Sequence, residues 1–166
     1  DPLKDPLRPP RDEQDFKPVD FLLAPQIESI GLALIEKRVC FEHLRDGVRI
    51  AYRWKKKGGK SGGKLVLGKC VKVSGYLKYE TGLDFLILIS ADNCREMRLT
   101  HWQMEALVFH ELCHAQINTN DEGEKIPAIE GHDFEGFVDE VRHYGTWRPV
   151  IENLQRALHP TLFDLK

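Results

Sequence analysis

Residues 100–114, THWQMEALVFHELCH, carry the strongest structural signal in this chain of 166 residues. Thr100 and Gln103 have the spacing of a capping box, which predicts that a helix begins at this point. Most of the positions that follow are apolar, so we expect the helix to be buried in the core. Its last turn contains the pattern HExxH at residues 110–114.

The HExxH pattern predicts a zinc site if it lies on a helix. His110 and His114 are then about 40° apart on one face and about 6 Å apart along the axis, so both can bind one zinc ion. Glu111 points about 100° away from His110, where it can accept a proton from a zinc-bound water. The alternative is that both histidines bond to backbone carbonyls inside an apolar helix, which is costly without a metal.

A catalytic zinc ion needs a third protein ligand, since water takes the fourth position. His132 is the favoured candidate, because residues 134–141 have helical apolar spacing and His132 would stand in the first turn of that helix. Glu135, one turn further on the same face, is the competing ligand. His143 shares that face but lies about 16 Å further along the helix, which is too far for the same ion.

The rest of the chain predicts an α+β fold with a small antiparallel or mixed sheet packed on the HExxH helix. A helix is expected over about 27–44, followed by strands near 48–53, 65–73 and 84–90. The Gly- and Lys-rich stretch 55–63 would join the first two strands as a flexible hairpin loop. The third strand is the most apolar, and we expect it to be the edge on which an extended substrate lies.

Three segments are expected along the chain. Residues 1–18 contain five of the nine prolines and are predicted to form a Pro-rich arm outside the core. Residues 19–148 are predicted to form the globular domain. Residues 149–166 are predicted to form an amphipathic C-terminal helix, which begins at Pro149 and packs on that domain.

Charge is distributed unevenly, although the net charge is only −2. The segment 47–79 holds ten basic residues and no Asp or Glu, whereas residues 121–140 hold eight acidic residues and one Lys. A basic surface of this kind can contact DNA. The residues predicted to do so are Arg53, Lys55, Lys56, Lys57, Lys60 and Lys64. The alternative is that the lysines keep strand edges soluble.

The composition excludes several classes of protein. Apolar runs are far shorter than the roughly 18–20 residues that cross a bilayer, so no membrane partner is expected. The four cysteines form no CxxC pair and are too few for a disulfide scaffold, which favours a reducing compartment. No basic segment followed by an apolar stretch opens the chain, so we expect no secretory signal and a cytoplasmic location.

Four stretches resemble those of a known family, namely VLGKCVKVS at 66–74, TGLDFL at 81–86, EALVFHELCH at 105–114 and GHD at 131–133. The chain is similar to the putative phage metallopeptidase family over about residues 19–147, and more weakly to SprT-like (Spartan-type) zinc proteases. The resemblance implies a zincin-like metallopeptidase domain at 19–148, with Zn²⁺ bound by His110, His114 and His132. For a phage protein, the cytoplasm would be that of the host. The SprT-like relatives act on proteins attached to DNA.

The sequence therefore predicts a zinc metallopeptidase that hydrolyses peptide bonds in a protein or peptide substrate, with Glu111 as the catalytic residue. DNA-associated proteins are a candidate substrate class, through the basic segment 47–79. The alternative is a non-proteolytic zinc protein that acts as a DNA- or protein-binding module. Glu111 argues against this alternative, because a structural zinc site does not need a neighbouring carboxylate.

Overall fold

The computed structural model describes residues 7–12, 14–17, 19–147 and 149–159. Contacts divide the chain into two compact units, residues 1–130 and 131–166. The first unit combines helices with strands, and the described part of the second contains two helices. The architecture is therefore α+β, as predicted. None of the described helices is long and apolar enough to span a bilayer.

The first unit begins with β1 (Phe21–Leu23), α1 (Pro25–Lys37) and a 3₁₀ helix (Val39–Leu44). Four short strands follow, which are β2 (Ile50–Lys55), β3 (Lys60–Ser61), β4 (Lys64–Leu65) and β5 (Gly68–Lys72). The unit continues with α2 (Gly75–Thr81), β6 (Phe85–Ser90), α3 (Ala91–Glu96), α4 (His101–Cys113), β7 (Ala115–Thr119) and β8 (Lys125–Ile129). The second unit contains α5 (Val138–Tyr144) and α6 (Pro149–Leu158).

The main sheet has the strand order β1-β2-β6-β5, so β6 is an interior strand. It pairs in parallel with β2 and antiparallel with β5. The expectation that residues 84–90 form the edge is therefore wrong, and β5 is the edge strand beside β6. The physical reason is burial: Phe85, Ile87 and Ile89 have no exposed surface, and the most apolar strand is best placed between two others.

The Gly- and Lys-rich stretch does not join two paired strands, which differs from the prediction. β2 and β5 are not neighbours, and the stretch forms the β3–β4 hairpin. Its base is fixed to α3, because Asn93 Nδ2 donates to the carbonyls of Gly59 (2.9 Å) and Val66 (2.7 Å). Asp92 Oδ1 accepts the backbone N–H of Gly58 at 2.9 Å. These bonds hold both ends of the hairpin.

The core of the first unit lies between one face of the main sheet and the helices α1 and α4. Pairing register places Tyr52 and Trp54 of β2 beside Ile87 and Ile89 of β6 on this face, and all four side chains are buried. Both helices pack on each other, α1 contacts β2, and α4 contacts β5. The core thus fixes α4 against the edge strand, which determines where the HExxH residues lie.

One residue of the predicted Pro-rich arm belongs to the core. Phe16 is 1% exposed and lies in the core cluster, so the expectation that residues 1–18 stay outside the core is wrong at this position. Asp12 also anchors the segment, because its carboxylate pairs with Lys57 and with Arg95, the latter at 2.8 Å. Residues 1–6, 13 and 18 of the arm lie outside the described residues.

Helix boundaries agree with the sequence where local signals are strong. α6 begins at Pro149, as predicted, and residues 160–166 of the expected C-terminal helix lie outside the described residues. The helix predicted over 27–44 is divided into α1 and the 3₁₀ helix, because the backbone of Arg38 is extended. The packing of α6 on the domain stays a prediction.

Candidate metal centre

Helix α4 is fixed at its start and along its buried side, and this determines where the HExxH residues lie. At its start, Gln103 N–H donates to Thr100 Oγ1 (3.2 Å) and Thr100 N–H donates to Gln103 Oε1 (2.9 Å), so the predicted capping box is formed. Its buried stripe has no exposed surface at Met104, Val108 and Leu112. The side chains on this stripe orient the helix, so that Glu111 is buried and His110 is exposed.

His114 stands where α4 ends, and it is held by the last residue of the first unit. Its Nδ1 donates to the backbone carbonyl of Glu130 at 2.6 Å, while the N–H of Glu130 donates to the carbonyl of His114 at 2.8 Å. Because a carbonyl can only accept, Nδ1 carries a proton in this bond, and in the neutral ring Nε2 is then the atom that can bind a metal. Metal-binding histidines are oriented by this kind of bond.

The three predicted histidines come together. The rings of His110 and His114 have centroids 5.1 Å apart and stand nearly perpendicular, and one ligand nitrogen from each of His110, His114 and His132 lies within 4.8 Å of the others. In a tetrahedral zinc site, ligand nitrogens are about 3.3 Å apart, given bonds of about 2.0–2.1 Å. Small side-chain rotations would close this difference, so the group fits a metal ion.

His132 reaches this group from an irregular segment. Residues 131–137 are not helical, and α5 begins only at Val138, so the expectation that His132 stands in the first turn of a helix is wrong. Gly131 and Gly136 explain the difference, because glycine is a poor helix former. His132 follows Glu130 by two residues, so the Cα atoms of these two residues are at most about 7 Å apart.

Glu111 lies against the edge strand β5. Its side chain is 4% exposed and packs beside Gly68, and the backbone N–H of Cys70 donates to its carboxylate. Burial raises the pKa of Glu111 to about 7, while the attraction of His114 and the Cys70 hydrogen bond act in the opposite direction. A carboxyl group with this pKa can accept and release a proton near neutral pH.

A comparison with protein families gives a match. Residues 19–158 match the model of the family described as Putative phage metallopeptidase. The chain belongs to this family. No curated protein and no solved structure matches the chain. The resemblance to phage metallopeptidases is therefore confirmed, whereas similarity to SprT-like proteases stays a prediction.

Three features of this site were not found from the sequence. Gly68 and Cys70 of β5 surround Glu111, and His43 Nε2 donates to the carbonyl of Ala115 at 2.8 Å, directly after His114. A signal existed for Gly68, since a glycine inside a strand often marks a close approach. Nothing local indicated the contact of His43, because 72 residues separate it from Ala115.

The predicted DNA-contacting residues are placed differently from one another. Arg53, Lys55 and Lys56 are half-buried, and Lys57 pairs with Asp12. The two lysines of the β3–β4 hairpin, Lys60 and Lys64, are exposed. The basic surface offered by these six residues is thus smaller than their number suggests, and DNA contact stays a prediction.

Glu135, the competing metal ligand, is exposed, and the group of ligand atoms consists of the three histidines.

Proposed function

We propose that this protein is a zinc-dependent metallopeptidase of the HExxH, zincin-like type. The observation that carries the proposal is the group of three histidines beside a buried carboxylate, in a chain that belongs to a metallopeptidase family. His110, His114 and His132 would hold the ion, and the bond from Nδ1 of His114 to the carbonyl of Glu130 orients the ring. Three nitrogen ligands are typical of catalytic zinc, which keeps its fourth position open.

A bound zinc ion supplies Lewis acidity, which lowers the pKa of a water ligand and polarises the scissile carbonyl. Glu111 accepts a proton from the water while the oxygen of that water forms a bond to the carbonyl carbon. The same carboxyl group then delivers the proton to the amine nitrogen as the C–N bond breaks. A protein or peptide is therefore the substrate, and Glu111 is regenerated at the end of each cycle.

The test replaces Glu111 with Gln, which keeps the shape of the side chain and removes its ability to accept the proton. Hydrolysis of a fluorogenic peptide library by the zinc-loaded protein should fall about 10²- to 10⁴-fold in kcat/KM, the usual contribution of general acid–base catalysis. Zinc content, measured by atomic emission, should stay at one ion per chain. Glu105→Gln, on the same helix but away from the histidines, is the matched control and should keep the parent activity.

Two results would contradict the proposal. Equal activity of Glu111→Gln and the parent would remove Glu111 from the chemistry. A parent that binds one zinc ion and cleaves no peptide in the library would favour the non-proteolytic alternative, in which the same ligands serve a binding module.

A further inference from the structure

The side chain of Glu111 occupies space that is open only because residue 68 is glycine. A Cβ atom on Gly68 would lie 2.8 Å from Oε1 of Glu111 and 3.1 Å from both Cδ and Cγ. These distances are shorter than van der Waals contact, which begins near 3.4 Å for such atoms. Gly68 is absent from the described glycines with positive φ, so its backbone conformation does not require glycine. The close approach of the Glu111 carboxylate is the remaining reason for a glycine at position 68.

The register of β5 explains how the same strand also supplies a hydrogen-bond donor. Leu67 accepts from the N–H of Ser90, and Val73 donates to the carbonyl of Asp84. In an antiparallel pair, alternate residues bond to the partner strand. Residues 67, 69, 71 and 73 therefore bond toward β6, and the N–H of Cys70 points away from it. That outward N–H donates to the carboxylate of Glu111.

We propose that Gly68 and the backbone N–H of Cys70 together position the Glu111 carboxylate for proton transfer, Gly68 by leaving room and Cys70 by fixing the oxygen. The inference rests on the proposed function, because it concerns the base of that reaction. α4 alone fixes only the backbone of Glu111, and the three-bond side chain needs a second support. Misplacing a catalytic group by about 1 Å can cost about 100-fold in rate.

The experiment is Gly68→Ala in the zinc-loaded full chain. The added methyl group should push the carboxylate aside, so kcat for a fluorogenic peptide should fall about 10- to 100-fold while KM changes less than about twofold. Zinc content should stay unchanged. The melting temperature should stay the same or rise, since alanine at a compatible position reduces the entropy of the unfolded chain. Ser74→Ala, just beyond the end of β5, is the control and should retain the parent values.

A double-mutant cycle separates positioning from a general effect on the fold. In the Glu111→Gln background, Gly68→Ala should cause no further loss of kcat, because the group that it displaces no longer accepts a proton. A parent-like kcat in Gly68→Ala would overturn the inference. A similar loss in both backgrounds, or a loss accompanied by a lower melting temperature or lost zinc, would also overturn it.

A second measurement does not depend on catalysis. The amide proton resonance of Cys70 in ¹⁵N-labelled, zinc-loaded protein should shift in Gly68→Ala and in Glu111→Gln, and stay in place in Ser74→Ala. If the parent cleaves no peptide, the proposed function fails, and this resonance alone decides whether Gly68 sets the position of the carboxylate. An unmoved resonance in Gly68→Ala would then overturn the inference.

Discussion

Helix α4 and the segment 131–147 both supply histidines to one group of ligand atoms, but they are supported in different ways. α4 has a capping box and a fully buried stripe, which together orient the HExxH residues. By contrast, α5 has no buried residue, and Phe137 is 80% exposed. The two regions therefore differ in burial: the histidines of the HExxH pattern follow from a helix with a buried stripe, whereas the third comes from a segment whose helix buries no residue.

The largest expected effect is a difference in the free energy of unfolding between two variants, each of which shortens one apolar side chain in one of the regions. Leu112→Ala should lower the free energy of unfolding by about 2–5 kcal/mol, because it opens a cavity beneath α4. Phe137→Ala should change it by less than about 0.5 kcal/mol, although more atoms are removed, because the ring is exposed. Urea unfolding followed by circular dichroism measures both values.

Equal losses in these two variants would show that residues 131–147 contribute as much to stability as α4 does. The contrast in burial between the two regions would then not extend to stability. The zinc-free protein is the appropriate sample, since a bound ion would stabilise both regions through its shared ligands.

The next effect concerns the cost of burying a carboxyl group on α4. Burial raises the pKa of Glu111 from 4.5 to about 7 in the metal-free protein. Between these values the folded state holds a proton that the unfolded chain releases, so stability falls as pH rises from about 4.5 to 7. The loss from this group should be about 2–3 kcal/mol, and above pH 7 its contribution should stay constant.

Chelator-treated parent and Glu111→Gln, unfolded in urea at pH 5 and pH 8, isolate this contribution. All other ionisable groups are common to the two proteins, whereas the glutamine side chain of the variant does not ionise, so the difference between the two pH dependences belongs to Glu111. Identical pH dependences would mean that the carboxyl group is not buried as α4 and β5 place it.

The smallest effect tests the start of α4. Thr100→Ala should lower the free energy of unfolding by about 1 kcal/mol, because it removes the oxygen that accepts the N–H of Gln103. Thr146→Ala, an exposed threonine in the second unit, should change stability by less than about 0.5 kcal/mol. A loss as large in Thr146→Ala would show that the capping bond adds nothing specific.

Features encoded by neighbouring residues were predicted correctly, and those that depend on distant pairing were not. The capping box at Thr100 and the start of α6 at Pro149 are local, and both are present. Strand order depends on which distant segments pair, so β6 was wrongly placed at the edge despite its apolar sequence. The three histidines were named from spacing and resemblance, but the glycines around His132 shift the helix to Val138.

The contact of Glu111 with β5 also bears on self-association. An edge strand exposes unpaired backbone groups that can recruit a strand from another molecule, and proteins usually obstruct such edges. The Glu111 carboxylate occupies the outward N–H of Cys70, while Lys69 and Lys72 place exposed charges along the same strand. A variant with leucine at position 111 would leave that N–H open, so the strand edge would lose one of the groups that obstruct pairing with another strand.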